Sequence, residues 1–389
     1  MLALRLHRQF LMEGFESVFL CWRKLSAEKG VETIVKNRLL WVLDTAIGRL
    51  FDAVSLSYLG YVSSSLFRLN RYVRRAEVVH CHNLHGGFFS LRGLLFLKNK
   101  RVVWTLHDMW AFTGNCSHSK ECIRWENGCG SCPHLDDYPR LRWDLTRFLW
   151  NYKRKLYRQL EVTVVCPSLW MLAKANRSPL LRRFRKTHIP NGVDILIFKP
   201  TEKHLAREAF GLSQKGHFIL FVSNSLKDKR KGTDELLEVL NNIDSRGLRM
   251  TALLVGNHEI EPKPTFKHVQ LVYFQYSRDE IRMAELYSAA DLQLVTSRAE
   301  NLPYSVIESM ACGTPVVAFN VGGIPEIVDH GETGIVLDMR DTLQMSKEVD
   351  SLLNNPKRIS LFASKGIQKV KDRFDIKKVS NDYRRLYEN

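Results

Sequence analysis

Glu300 and Glu308 stand eight positions apart in the run Glu300-Asn301-Leu302-Pro303-Tyr304-Ser305-Val306-Ile307-Glu308. The first follows an apolar stretch, residues 292–296, that reads as a strand. The second falls one or two turns into the helix that comes next. A helix N-terminus gathers backbone N–H groups without intrahelical partners, together with partial positive charge, and so suits a phosphate. A carboxylate on either side of such a seat could accept hydrogen bonds from sugar hydroxyls flanking a diphosphate. Taken alone, the pair could equally mark a solvated helix start.

The elements that must position these residues follow from hydrophobic patterning. Strand-like runs alternate with helical patterns, which argues for parallel sheets covered on both faces. The runs are residues 16–22, 77–82, 101–107 and 162–167 in the first half. In the second half they are 218–224, 250–256, 269–274, 292–297, 315–319 and 334–337. Residues 233–241 and 281–290 read as helices between strands, and residues 375–387 as a final helix. A stretch with two prolines and a glycine, residues 188–200, reads as a linker. The organisation predicted is a first domain over 1–187, this linker, a second domain over 201–370 and a terminal segment 371–389. A length of 389 residues, 45% of them hydrophobic, supplies two cores of ordinary size.

The net charge of +17 favours anionic partners: lipid headgroups, nucleotide diphosphates or nucleic acid. It is densest over residues 140–186, where thirteen Lys or Arg face Asp144 and Glu161 alone. There Leu145, Phe148, Leu149, Tyr152, Leu156 and Leu160 recur at helical spacing, with Arg147, Lys153, Arg154, Lys155 and Arg158 on much of the rest. Two readings fit, a membrane-surface helix or a core-facing helix with a solvated basic face. No recognised nucleic-acid module accompanies the charge, so no nucleic-acid partner is expected. No apolar stretch reaches the length of a membrane span, and no signal peptide is visible. The expectation is a cytoplasmic protein, peripheral at the inner face of the plasma membrane.

Four of the eight cysteines, Cys116, Cys122, Cys129 and Cys132, fall within seventeen residues at C-x5-C-x6-C-x2-C spacing. Four thiolates can hold a structural zinc ion tetrahedrally, with His118 and His134 as alternative ligands. Free thiols and disulfides are the competing readings, the latter disfavoured in a reducing compartment. Cys21, Cys81, Cys166 and Cys312 sit in apolar contexts and read as core.

The two glutamates, with Ser309-Met310-Ala311-Cys312-Gly313-Thr314-Pro315-Val316-Val317-Ala318, Gly322-Gly323-Ile324-Pro325-Glu326-Ile327-Val328 and Gly331-Glu332-Thr333-Gly334, resemble the Glu-x7-Glu block of family 4 (group 1) retaining glycosyltransferases. Ile189-Pro190-Asn191-Gly192-Val193-Asp194 resembles that family's interdomain segment. The cysteine-rich stretch, residues 109–139, is similar to an insertion in its exopolysaccharide and colanic-acid-type subgroup. The resemblance implies an α/β protein of GT-B fold: two Rossmann-like doubly wound domains facing a cleft, with a C-terminal helix crossing back to the first domain. It implies transfer of a sugar from a nucleotide-diphosphate donor (UDP- or GDP-sugar) to a glycan or polyprenyl-linked acceptor, with retention and without a catalytic metal.

The resemblance also assigns residues. Glu308 would hold the donor ribose, and Glu300 would contact the transferred sugar. The backbone of Asn301, Leu302, Pro303 and Tyr304 would meet the sugar and diphosphate, and Gly322 and Gly323 would let the chain approach closely. In Lys231-Gly232, the lysine would contact the diphosphate, whose negative charge needs fixed cations when no metal is present. The same basic run also reads as a solvated loop. The family's arginine six residues earlier is Ser225 here, with Lys229 or Arg230 as substitutes. His107, ending the run Trp104-Thr105-Leu106-His107-Asp108, would hydrogen-bond the sugar. The family opens with a strand and a glycine-rich loop, whereas residues 2–10 already look like the following helix. The expectation is that about fifteen to twenty further residues lie upstream, one strand and one loop in length. The alternative is a truncated, non-catalytic nucleotide-sugar or glycan-binding protein.

Overall fold

A computed structural model describes residues 2–388, apart from 25, 26, 36, 57, 62, 63, 65, 66 and 262. The chain divides into two compact units, residues 1–190 with 380–389, and residues 191–379.

The first unit opens with helix α1 (Leu2–Met12), which buries Leu2, Leu6 and Phe10 at four-residue spacing. Strands β1 (Phe19–Cys21) and β2 (Val31–Thr33) pair in parallel with each other. Helix α2 (Arg38–Ala53) follows, capped by Asn37, whose side chain accepts from the N–H groups of Leu39 and Leu40. After helix α3 (Arg71–Arg75) comes a separate four-stranded parallel sheet in the order β3-β4-β5-β6. Its strands are β3 (Val78–Cys81), β4 (Arg101–Thr105), β5 (Thr163–Cys166) and β6 (Arg185–His188). Helices α4 (Thr146–Tyr157) and α5 (Leu169–Arg177) supply Leu149, Trp150, Leu156 and Met171 to the core, against Trp104, Val164 and Cys166 of the sheet. The basic stretch therefore takes the core-facing alternative, with Leu149, Trp150, Leu156 and Leu160 all buried.

The second unit is a six-stranded parallel sheet in the order β12-β11-β10-β7-β8-β9. The strands are β7 (His217–Ser225), β8 (Met250–Asn257), β9 (Val269–Phe274), β10 (Leu292–Val295), β11 (Val316–Phe319) and β12 (Gly334–Leu337). Every residue of β10 and β11 is buried, as a sheet covered on both faces requires. Between strands and at the end run α6 (Lys203–Ala209), α7 (Thr233–Ser245), α8 (Glu280–Ala289), α9 (Tyr304–Ala311), α10 (Ile324–Ile327), α11 (Thr342–Leu353) and α12 (Pro356–Arg373), and α13 (Ile376–Glu388) begins in this unit and belongs to the first from Ser380 on. One face packs on α7 and α11 through Leu236, Leu240, Met345 and Val349. The other packs on α8 and α9 through Met283, Leu286, Val306 and Ile307. Both units are thus Rossmann-like α/β structures with parallel sheets. Strands β2 and β6 were not anticipated. The first is three residues long, and the second reads Arg-Lys-Thr-His, so neither carries an apolar run. Among the described residues, no helix is long and apolar enough to cross a membrane.

Candidate functional site

In the second unit, chain order runs outward in opposite directions from the neighbouring strands β7 and β10. Such a reversal leaves a crevice at the carboxyl ends of the strands, the ordinary place for a ligand in an open α/β sheet. The loops leaving β7, β10 and β11 carry Lys231, Glu300 and Gly322, respectively.

After β7 the chain makes a single 3-10 turn, Lys229–Lys231, begun by Asp228, whose carboxylate accepts from the Arg230 N–H. Gly232 then takes φ +75°, and a Cβ there would collide with the Thr296 carbonyl oxygen beyond β10. Thr296 Oγ1 donates to the Gly232 carbonyl at 2.7 Å, fastening the two loops together. The result brings Lys231 Nζ to 2.7 Å from Glu300 Oε1, with Arg230 Nη1 at 3.2 Å from the same oxygen. Glu300 is buried, so its charge is compensated by two cations. Arg230 Nη1 also donates to the Ala299 carbonyl at 2.9 Å. Arg230, which follows from sequence only as one of two substitutes for the absent arginine, is therefore part of this cluster, while Ser225 lies at the end of β7.

The loop from Glu300 to Pro303 is held from three sides. The Gly323 N–H donates to the Asn301 carbonyl at 2.7 Å. Asn191 Nδ2 donates to the Leu302 carbonyl at 2.8 Å. Gly322, at φ +59°, lies so close that a Cβ would collide with the Glu300 carbonyl oxygen. Pro303 occupies the position before α9, and no side chain caps that helix. Glu308 is buried one turn further on, where its Oε2 accepts from the Tyr287 hydroxyl of α8 at 3.0 Å. Burial, and then the Glu308 charge, push the Tyr287 hydroxyl far above its ordinary pKa, so it stays a donor. Tyr287 was not signalled by sequence, because it reaches Glu308 only through the packing of α8 on α9.

In the first unit, His107 follows β4. The register pairs Cys81 with Trp104, which puts His80 and His82 on the same sheet face as Thr105 and His107. His82 Nδ1 lies 2.9 Å from His107 Nε2, with the rings stacked. His80 bridges Thr105 Oγ1 at 2.7 Å and the Tyr387 hydroxyl at 2.6 Å, and Tyr383 meets Thr105 Oγ1 at 2.9 Å. The tyrosines are four residues apart on α13, within its stretch that belongs to this unit. Burial lowers His107 to about 4 and His80 to about 3, and lowers His82 in the same direction. These imidazoles are neutral near pH 7, so His107 is equipped to make hydrogen bonds and not to carry a cation. These partners were not singled out from sequence; the alternation His80-Cys81-His82 is the signal that could have found them.

The cysteine-rich segment gives a different outcome from the zinc expectation. Cys116, Cys122, Cys129 and Cys132 are free thiols. Among the described residues, no three His, Cys, Asp or Glu side chains come together to hold a metal ion. Cys129 Sγ instead accepts from the Gly114 N–H at 3.2 Å. Burial pushes the Cys116 thiol up to about 12 and Cys129 to about 11, so without a metal both are protonated near neutral pH. The segment is anchored by Lys153, fully buried and lowered by burial to about 7, whose Nζ donates to the carbonyls of Trp110 and Thr113 and lies 3.9 Å from the Trp110 ring centre.

Comparison with known proteins gives two family matches. The model described as glycosyltransferase family 4 matches residues 2–195, and that described as glycosyl transferases group 1 matches residues 216–355. WcaC of Escherichia coli (strain K12), a protein with a proposed role as a colanic acid biosynthesis glycosyl transferase, is 25% identical over 370 residues, covering 89% of this chain and 86% of that protein. The sucrose-phosphate synthase structure from Thermosynechococcus elongatus superposes with a TM-score of 0.70 at 19% identity, over 99% of this chain and 91% of that one. Anabaena HepE, solved in complex with UDP-glucose, superposes with a TM-score of 0.66 at 17% identity, over 100% and 95% of the two chains.

Proposed function

This chain belongs to the family 4, group 1 glycosyltransferases of GT-B fold, and we propose that it moves a sugar from a nucleotide-diphosphate donor to a glycan or lipid-linked glycan acceptor, with net retention at the anomeric carbon. The observation that carries this reading is the gathering of Lys231, Arg230 and Glu300 at the reversal point of the second sheet, beside the helix that bears Glu308. The proposed role of WcaC in colanic acid biosynthesis supports a place in the assembly of a surface polysaccharide. The UDP-glucose bound by HepE supports a UDP- or GDP-sugar donor.

In this reading Glu308 accepts hydrogen bonds from the donor ribose, kept in place by the Tyr287 hydroxyl. Lys231, Arg230 and the N-terminus of α9 stabilise the diphosphate as it leaves. Glu300, the backbone of residues 301–304 and the close approach of Gly322 and Gly323 shape the sugar seat. His107 hydrogen-bonds the sugar as a neutral imidazole. The reaction proceeds on one face: the bond from the anomeric carbon to the diphosphate oxygen breaks, and the acceptor oxygen bonds to that carbon. The departing diphosphate takes the acceptor proton. No side chain need serve as a covalent nucleophile.

A thermal-shift screen of nucleotide sugars tests the donor assignment, since a ligand raises the stability of the state it binds. A UDP- or GDP-sugar should raise the unfolding temperature, and Glu308→Ala should abolish that rise. A shift that survives in Glu308→Ala would overturn the ribose assignment.

A further inference from the structure

Helix α2 is built inside out. Leu39, Val42, Leu43, Ala46 and Leu50 recur at three- and four-residue spacing and form one stripe. In a soluble protein such a stripe faces the core. Here Leu39 is 68% exposed, Leu43 49% and Leu50 69%. The buried positions are Asp44 and Gly48. Gly48 fixes the rotation, because a Cβ there would collide with the Tyr61 ring, so no larger residue could occupy position 48.

Basic and aromatic groups flank both ends of the stripe. At its start, Trp41 packs near Trp22, whose centroid is 6.4 Å away, and the exposed Arg23 follows Trp22 in the chain. At its end, Ser55 Oγ accepts from the backbone N–H groups of Arg142 and Trp143 at 2.9 and 2.8 Å. Trp143 is 51% exposed, with the Arg142 guanidinium stacked on its ring. Arg38 and Arg49 are exposed on the helix itself, where Asp52 is the exposed acid.

We propose that this face of α2 docks on a lipid surface bearing anionic headgroups. An apolar stripe bounded by arginines and half-exposed tryptophans matches the layering of such a surface: acyl chains meet leucines, the interface meets tryptophan, and phosphates meet guanidinium. Charge argues against a second copy as the occupant, since each chain carries +17 and these arginines would face their own kind. The docking surface is thus α2 and not the more basic α4, whose apolar positions lie mostly in the core. It gives the lipid-linked acceptor of the proposed function a place to be met, but it is read from α2 and the tryptophans and arginines beside it, not from the donor site. Its test needs no sugar donor, so its failure would leave the donor assignment standing.

Flotation of the full chain with phosphatidylcholine vesicles, with and without phosphatidylglycerol, provides the test. The wild type should float with the anionic vesicles and release in high salt. The triple variant L39Q/L43Q/L50Q should lose at least about tenfold in bound fraction while keeping its thermal midpoint. Arg38→Gln with Arg49→Gln should lose the preference for phosphatidylglycerol. As a check that requires no altered stripe, brominated lipid should quench the wild type more than Trp143→Phe. The proposal is overturned if the wild type ignores anionic vesicles, if the triple variant floats as well as the wild type, or if quenching is the same in Trp143→Phe. It is also overturned if the wild type sediments as a dimer that the triple variant converts to monomer.

Discussion

Lowering the pH from about 7.5 to about 5 should weaken the first unit through the histidines of β3 and β4. In the folded chain His107 titrates at about 4 and His80 at about 3, in both cases chiefly because burial disfavours the imidazolium. An unfolded histidine titrates near ~6.5. Between these limits the unfolded chain binds protons that the folded chain refuses, so stability rises with pH and is lost as pH falls from about 6.5 toward the folded values. At pH ~5 the ratio of binding polynomials gives about 2 kcal/mol for each of the two. His82 acts in the same direction and shares a hydrogen bond with His107, so the contributions couple rather than add. The expected loss is about 2–4 kcal/mol. All eight tryptophans lie within residues 1–190, so denaturant unfolding followed by tryptophan fluorescence reports on this unit alone. His107→Gln keeps a neutral hydrogen-bonding group without the titration, and its loss between the two pH values should be smaller by about 1–2 kcal/mol. A wild-type stability that is flat over this range, or the same slope in His107→Gln, would refute the buried-neutral account.

Gly322→Ala should abolish the thermal shift given by UDP, because both the left-handed φ and the Glu300 carbonyl exclude a Cβ; a wild-type shift would contradict this. Lys231→Met and Glu300→Gln should affect UDP affinity differently in a calorimetric titration. The first should weaken it by about tenfold or more through loss of a charge-assisted hydrogen bond, and the second should leave it unchanged or tighter by releasing two cations while transfer falls. Protein purified under reducing conditions should carry no stoichiometric zinc, and Cys116 and Cys129 should alkylate slowly near neutral pH, since burial holds them as thiols. A full equivalent of zinc by elemental analysis would reverse the free-thiol assignment.

Sequence was most informative where one residue type had to satisfy both local and global demands. Strands β10 and β11 are buried on both faces, so they had to be continuous apolar runs, and they were visible as such. Gly232 and Gly322 stood out because turns at positive φ with close backbone approach accept little else. It was least informative where a distant part of the chain decides a residue's surroundings. Lys153 sits within a run of basic residues and reads as solvated, but its Nζ lies inside, donating to two carbonyls of the loop after β4. The α2 stripe reads as a core face until Gly48 and the Tyr61 ring fix the opposite rotation. Tyr383 and Tyr387 are ordinary helix residues until packing sets them beside His80 and Thr105.

The charge cluster at the reversal point explains how the chain can lack an arginine at position 225 and still present two cations. Lys231 and Arg230 are adjacent, and adjacent side chains on a regular element diverge. The 3-10 turn from Lys229 to Lys231, closed by Gly232 at positive φ, bends the backbone enough for both to converge on Glu300 Oε1. Glu300 therefore has two effects. It orients both cations, reducing the freedom they would lose on meeting a diphosphate, and it lowers the local charge from two positive to about one. On the proposed donor reading, a diphosphate would share those cations with Glu300, which would temper its affinity, while a sugar hydroxyl donating to Glu300 would compete with them for the same oxygen. In the proposed donor reading, binding the whole nucleotide sugar would relieve both competitions together, because the diphosphate would draw the cations as the sugar engaged the carboxylate. Such an arrangement would favour the intact donor over the free nucleotide diphosphate, which is the discrimination a transferase needs in order to release its product.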